Sequence, residues 1–205
     1  MVDGPLPKET GIMVLPNAIL FPQALLPLYI FEPRYRDMLQ IALDGERMFA
    51  VAHGHGLSEP HRISGIGLIR ACVDQPDGTS HLMLQGISRV RFSEFTQTDP
   101  YYRARVEFLP TEQTSDDATE KLGQELRNYL DGMRQEADGK TAEMLNFLAD
   151  VEDLDALADI VSYSMVMDLD RKQRLLEAVS LRERLELLLE AVREDGPLDD
   201  GFTFT

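Results

Sequence analysis

The sequence predicts an α+β fold in which strands come first and helices second. Two observations predict it. The spacing of apolar residues changes from alternation to a helical repeat of about 3.6 residues near positions 110–115. The charge changes at the same place. Residues 1–110 carry 10 basic and 12 acidic side chains, a net of −2, and residues 111–205 carry 10 and 24, a net of −14. With 43% apolar and 27% charged residues, the 205-residue chain has the composition of a soluble globular protein. The total of −16 argues against nucleic acid and anionic lipid as partners, because both are repelled at long range.

In the first half, residues 12–15, 24–30, 47–53, 63–73, 80–92 and 102–109 read as short strands. "HLMLQGISRVRF" puts Leu82, Leu84, Val90 and Phe92 on one face and His81, Gln85, Arg89 and Arg91 on the other. Gly86 stands where a bulge or tight bend suits a closing sheet. "YRARVEFL" repeats the alternation, with Ala104, Val106 and Phe108 inward and Arg103, Arg105 and Glu107 outward. "DQPDGTS" carries the Pro76, Asp77 and Gly78 of a hairpin connection. Strands at this spacing suggest a barrel or sandwich. One helix interrupts them: Pro33 fits its first position, Tyr35, Met38, Leu39 and Ala42 form its apolar stripe, and Gly45 ends it.

The second half is helical over 116–136 and 141–149. Further on, Leu154, Leu157, Ala158, Val161 and Met165 form a clean stripe. Asp168 or Asp170 caps the next helix, which holds Leu175, Leu176 and Val179. Ser180 and Glu183 form a capping box ahead of Leu181, Leu185, Leu188, Leu189 and Val192. Such a leucine stripe can pack internally or against a second subunit. The expected organisation is strands over 1–112, helices over 113–195 and a mobile tail over 196–205.

Chemistry is sparse. His53, His55 and His61 lie close together with Cys72 not far on, but no cysteine pair or HExxH helix accompanies them, so no metal site is expected. Gly139-Lys140-Thr141 resembles the end of a phosphate loop, yet the required earlier glycine is Arg134, and the segment reads as an interhelical turn. No G-x-S-x-G elbow occurs, and Cys72 sits in an apolar strand as an inert core thiol. Glu32 at a helix start meets the positive end of the helix dipole. No cofactor is expected. Arg89, Arg91, Arg103 and Arg105 form the strongest polar constellation, a candidate anion-binding strip on the outer face of two strands, with Glu94, Asp99 and Glu107 able to neutralise it.

Three segments, "IMVLPNAILFPQALLPLYIFEPRYRDMLQIAL", "ISGIGLIRACVDQPDGTSHLMLQGISRVRF" and "YYRARVEFLP", resemble in order and spacing the amino-terminal substrate-binding domain of Lon proteases. "LADIVSYSMVMDLDRKQRLLEAVSLRERLELLLEAV" is similar to that domain's helical part, so the resemblance covers about residues 11 to 193. It implies a PUA-like β-barrel with one crossing helix, followed by an α-helical bundle. Full Lon proteases continue into an ATPase module and a Ser–Lys peptidase domain, and neither a complete Walker motif nor such a dyad occurs in these residues. The resemblance therefore implies a binding module that is not an enzyme, with unfolded or apolar polypeptide segments or a specific protein as partner.

Within the signature "LPLYIFEPRYR", Ile30, Phe31, Arg34 and Tyr35 are the candidate polypeptide contacts, although the first job of the stretch is architectural. RNA binding through the arginine strip is the alternative, since PUA-like barrels include RNA binders; the charge and the lack of a stacking row of aromatics weigh against it. One cysteine excludes an intrachain disulfide and agrees with a reducing cytoplasm. The longest apolar run, Leu25 to Phe31, is too short to span a membrane.

Overall fold

The computed structural model describes residues 6–54, 60–113 and 116–195. Among them the mixed α+β class is observed. The first half runs β1 (Glu9–Leu15), β2 (Leu25–Ile30), α1 (Pro33–Asp44), β3 (Met48–His53), β4 (Ile63–Asp74), β5 (Ser80–Gln97) and β6 (Tyr102–Leu109). The second runs α2 (Asp117–Glu136), α3 (Gly139–Ala149), α4 (Leu154–Met165), α5 (Leu169–Glu177) and α6 (Leu181–Asp195). The chain divides into two compact units between Pro110 and Thr111. The expected tail, 196–205, lies outside the described residues.

In the first unit the strand order is β2-β5-β4-β3-β1-β6, and β6 also pairs with β5. The ladder β5–β4–β3–β1–β6 therefore returns to β5, while β2 is attached to the other stretch of that long strand. All neighbours are antiparallel except β1 and β3. Such a closed circuit removes strand edges and encloses one face. Ile12, Ala50, Ile66, Phe92 and Ala104 meet there, all nearly inaccessible. The β4–β5 hairpin turns at Gly78, whose φ of 79° suits glycine, and Asp77 accepts the Thr79 amide at 3.0 Å.

Gly86 serves a close approach. Its amide donates to Ala24 O at 2.8 Å and its carbonyl accepts from Gln23 N at 2.9 Å. A Cβ there would stand 1.9 Å from Phe21 O. The register of β5 against β4 slips at the same place, with Ser88 opposite Ile66 and Gly86 opposite Gly67.

Helix α1 begins at Pro33 and stops before Gly45, and its buried residues are Tyr35, Met38, Leu39 and Ala42, the predicted stripe. The pairing of β1 with β6 ends at Ile12 opposite Tyr102. Two residues on, the Tyr35 hydroxyl accepts from Val14 N at 3.1 Å and donates to Val14 O at 3.3 Å. The hydroxyl thus replaces a missing strand neighbour. Burial pushes the Tyr35 phenol above its usual pKa. Tyr35→Phe leaves that amide and carbonyl buried without this partner, and an expected loss of about 1–3 kcal/mol should be measurable by urea denaturation.

In the second unit, Asp116, Asp153 and Asp168 cap α2, α4 and α5, accepting amides of Thr119, Asp155 and Arg171 at 2.8, 3.0 and 2.8 Å. Between the two acidic residues considered for α5, Asp168 is the cap. Ser180 Oγ accepts the Glu183 amide at a long 3.5 Å. The leucine stripe of α6 is buried within the chain. Gly139-Lys140-Thr141 forms the first turn of α3, not an interhelical turn; the break falls at Ala137 and Asp138. Thr111 and Glu112 belong with the helices: Glu112 bridges Ser180, and Thr111 joins a buried cluster on Arg184.

Candidate functional site

The alternation of β2 exposes Leu25, Pro27 and Tyr29 and turns Leu26 and Ile30 inward. Register extends this outer face across the sheet. Tyr29 is opposite His81, and His81 is opposite Val73 on β4. The next row is Pro27, Met83 and Ala71; beyond it Leu25 is opposite Gln85, and Gln85 is opposite Leu68, which packs against the enclosed core. Leu25, Tyr29, Phe31 and Val73 are 53%, 49%, 58% and 59% exposed. The Tyr29 ring stacks on His81 at 4.7 Å between centroids and on Phe31 at 5.7 Å. With histidine neutral, these rows hold no formal charge; Arg70 reaches the margin through a hydrogen bond to Gln85. Exposed apolar side chains gathered on one face make it a candidate surface for association.

The four residues singled out in the signature divide. Phe31 is exposed beside Tyr29, and Arg34 is partly exposed, paired to Glu32 at 2.8 Å and lying 4.5 Å over the Tyr35 ring. Ile30 and Tyr35 are corrections. They are 2% and 5% exposed, because Ile30 lies on the inward phase of β2 and Tyr35 on the stripe by which α1 meets β1. Neither can touch a ligand in this conformation. Glu32 occupies the N-cap of α1 without a side-chain cap bond. Leu25, Tyr29 and Val73 were not singled out in the sequence. The signal for the first two was the alternation inside "LLPLYIF".

The arginines do not form an open strip. Arg89 is 2% exposed, a correction to its expected place on a solvent face: that face is covered by Leu20, whose carbonyl oxygen would stand 1.9 Å from a Cβ on Gly65, the ladder partner of Arg89. Alternation assigns a face and does not say whether that face is covered. Arg91, Arg103 and Arg105 pair with Glu107, Glu9 and Glu94 at 3.8, 2.9 and 2.7 Å. Hydrogen bonds from Arg103 and Thr96 lower the pKa of Glu9. These carboxylates neutralise the positive charge that a phosphate backbone would need.

His53 is buried and stacks on His61 at 5.8 Å between centroids, whereas His55 lies outside the described residues. Among the described residues no group of three or more His, Cys, Asp or Glu could hold a metal ion. Cys72, expected to be a core thiol, is half-buried. Burial and the neighbouring Asp74 raise its pKa, which disfavours the reactive thiolate. No described helix is long and apolar enough to cross a membrane.

The molecule is thus a mixed α+β protein whose sheet-bearing unit presents an uncharged apolar face. Residues 9–194 match the family model described as the ATP-dependent protease La (LON) substrate-binding domain, and the chain belongs to that family. It is 26% identical over 187 residues to the Lon protease of Dictyoglomus thermophilum, covering 88% of this chain and 24% of that protein. Against Lon protease 2 of Herpetosiphon aurantiacus it is 28% identical over 194 residues, with 88% and 23% covered. The chain spans about a quarter of the length of these curated relatives. The N-terminal domain of a Mycobacterium avium complex Lon protease shares the fold with a TM-score of 0.75 at 19% identity, covering 91% of this chain and 99% of that one. For the Lon N-terminal domain protein from Xanthomonas campestris the TM-score is 0.64 at 19% identity, with 89% and 97% covered.

Proposed function

We propose that this chain is a non-catalytic polypeptide-binding module that recognises apolar segments of unfolded proteins on the outer face of β2, β5 and β4. The observation that carries the reading is the set of uncharged rows around Tyr29, His81 and Val73 in a chain belonging to a substrate-binding family. The closed circuit of strand pairing supports a PUA-like barrel as the finer description of the first unit, with α1 crossing it and α2–α6 as the helical bundle. Binding at such a face draws on apolar area and ring contacts, so affinity changes little with salt.

The test is fluorescence anisotropy of a labelled, permanently unfolded polypeptide titrated with the full chain at low and moderate salt. A labelled single-stranded RNA runs alongside. The expected result is salt-tolerant binding of the polypeptide, weakened about tenfold or more by the Tyr29→Ala/Phe31→Ala pair, as befits exposed aromatic anchors. Binding of RNA alone, steeply salt-dependent, would sink the reading. So would polypeptide binding indifferent to both substitutions.

A further inference from the structure

The same surface offers two ways of holding a polypeptide. A client could add a strand to the outer edge of β2, or it could lie on the sheet face and be held by its side chains. Among the described strands β2 pairs with β5 alone, which makes strand addition the first arrangement to consider. The ladder's phase decides against it.

Gly86 N donates to Ala24 O, so the carbonyl of residue 24 points toward β5 and sets the phase of the strand that follows. Antiparallel ladders alternate, and the amides of Leu26, Leu28 and Ile30 therefore turn to β5 while positions 25, 27 and 29 turn to the outer edge. The middle outward position is Pro27, which has no N–H. An added strand would lose the central bond of its ladder, and the ring would crowd it; proline on an edge is a known guard against such pairing. The face beside this edge offers the opposite. Tyr29, His81 and Phe31 form one stacked platform, with Met83 and Val73 continuing the apolar surface.

We infer that clients bind on this face through their side chains, without strand addition to β2, so that the ligand class includes apolar segments whose backbone amides are missing, such as proline-rich ones. The inference rests on the proposed function and specifies its mode. The uncharged rows suit uncharged side chains, and no client N–H is required. Pro27 is the specificity-determining residue: it shuts the edge and leaves the platform as the accessible surface.

The test uses the full chain and a labelled peptide with an apolar, aromatic-containing core, compared with the same peptide N-methylated at alternate core residues. Anisotropy should give affinities within about threefold of each other, while Tyr29→Ala weakens both about tenfold, the scale of a lost ring contact. Pro27→Val, which restores an outward amide, should tighten binding of the unmodified peptide alone, by opening the β2 edge to strand addition. If the unmodified peptide binds and the methylated one is weakened tenfold or more, the face mode is overturned and the polypeptide-binding reading stands. Binding of the unmodified peptide that does not respond to Pro27→Val overturns the role given to Pro27. If neither peptide binds, both fall. Circular dichroism of each variant separates loss of binding from loss of fold.

Discussion

Arg184→Ala is expected to cost about 3–5 kcal/mol of stability, because it strands a buried carboxylate. The Arg184 side chain is wholly inaccessible and ion-pairs with Asp155 at 2.5 Å and Asp159 at 2.8 Å, the latter side chain being 3% exposed. It also donates to Ala178 O at 3.1 Å and Thr111 Oγ1 at 3.1 Å. One residue therefore ties α4, the turn before α6 and the start of the second unit together. Taking two charges out of water is costly, and the pair holds only because each satisfies the other. Removing both should be far milder than removing one: Arg184→Met/Asp159→Leu is expected to recover most of the loss. Urea denaturation of the unchanged chain, Arg184→Met, Asp159→Leu and the double variant, read as a double-mutant cycle, gives the coupling. Equal losses in the single and double variants would show that the arginine matters for its volume and not for its charge.

Gly86→Ala is expected to destabilise the first unit by at least about 3 kcal/mol, since the new methyl group meets backbone that cannot rotate away. Its Cβ would lie 1.9 Å from Phe21 O and 2.8 Å from Phe21 C, and the segment carrying Phe21 is held to Gly86 by two hydrogen bonds. Phe21 itself is fully buried, so the strand cannot part from it without opening the core. Hydrogen exchange should show lost amide protection along β2, β4 and β5. The comparison is Gly132→Ala, in the interior of α2 with nothing within 4 Å of the added carbon. That change should stabilise by about 0.5–1 kcal/mol, the difference in helix propensity. A harmless Gly86→Ala would mean that residues 21–24 do not pack against β5.

Much of this was legible in the sequence. Local patterns carry local structure, so the strands, the α1 stripe from Tyr35 to Ala42, the Gly78 turn and the α6 leucines follow from spacing and turn chemistry. The Lon-like resemblance, carried by several separated motifs, already identifies the family. The sequence also carries a signal for Arg184. This arginine interrupts the α6 stripe between Leu181 and Leu185, and Asp155 and Asp159 stand one helical turn apart on α4. An arginine inside an apolar stripe demands a buried acidic partner.

The sequence by itself determined the class of fold, the order of its elements, the family and the inward or outward phase of most strands. Only the tertiary structure decided which outward faces meet water. Tyr29 and Arg89 both occupy outward phases, yet one is half exposed and the other buried. The difference is not in either residue. Leu20 lies against the face that carries Arg89 and its ladder partner Gly65, whereas Tyr29 sits among exposed side chains, and burial is set by neighbours distant in sequence. For the same reason the candidate site keeps Phe31, loses Ile30 and Tyr35, and gains Tyr29 and Val73: strand register brings the last two into one surface through His81, and register is a property of pairing that no single segment encodes.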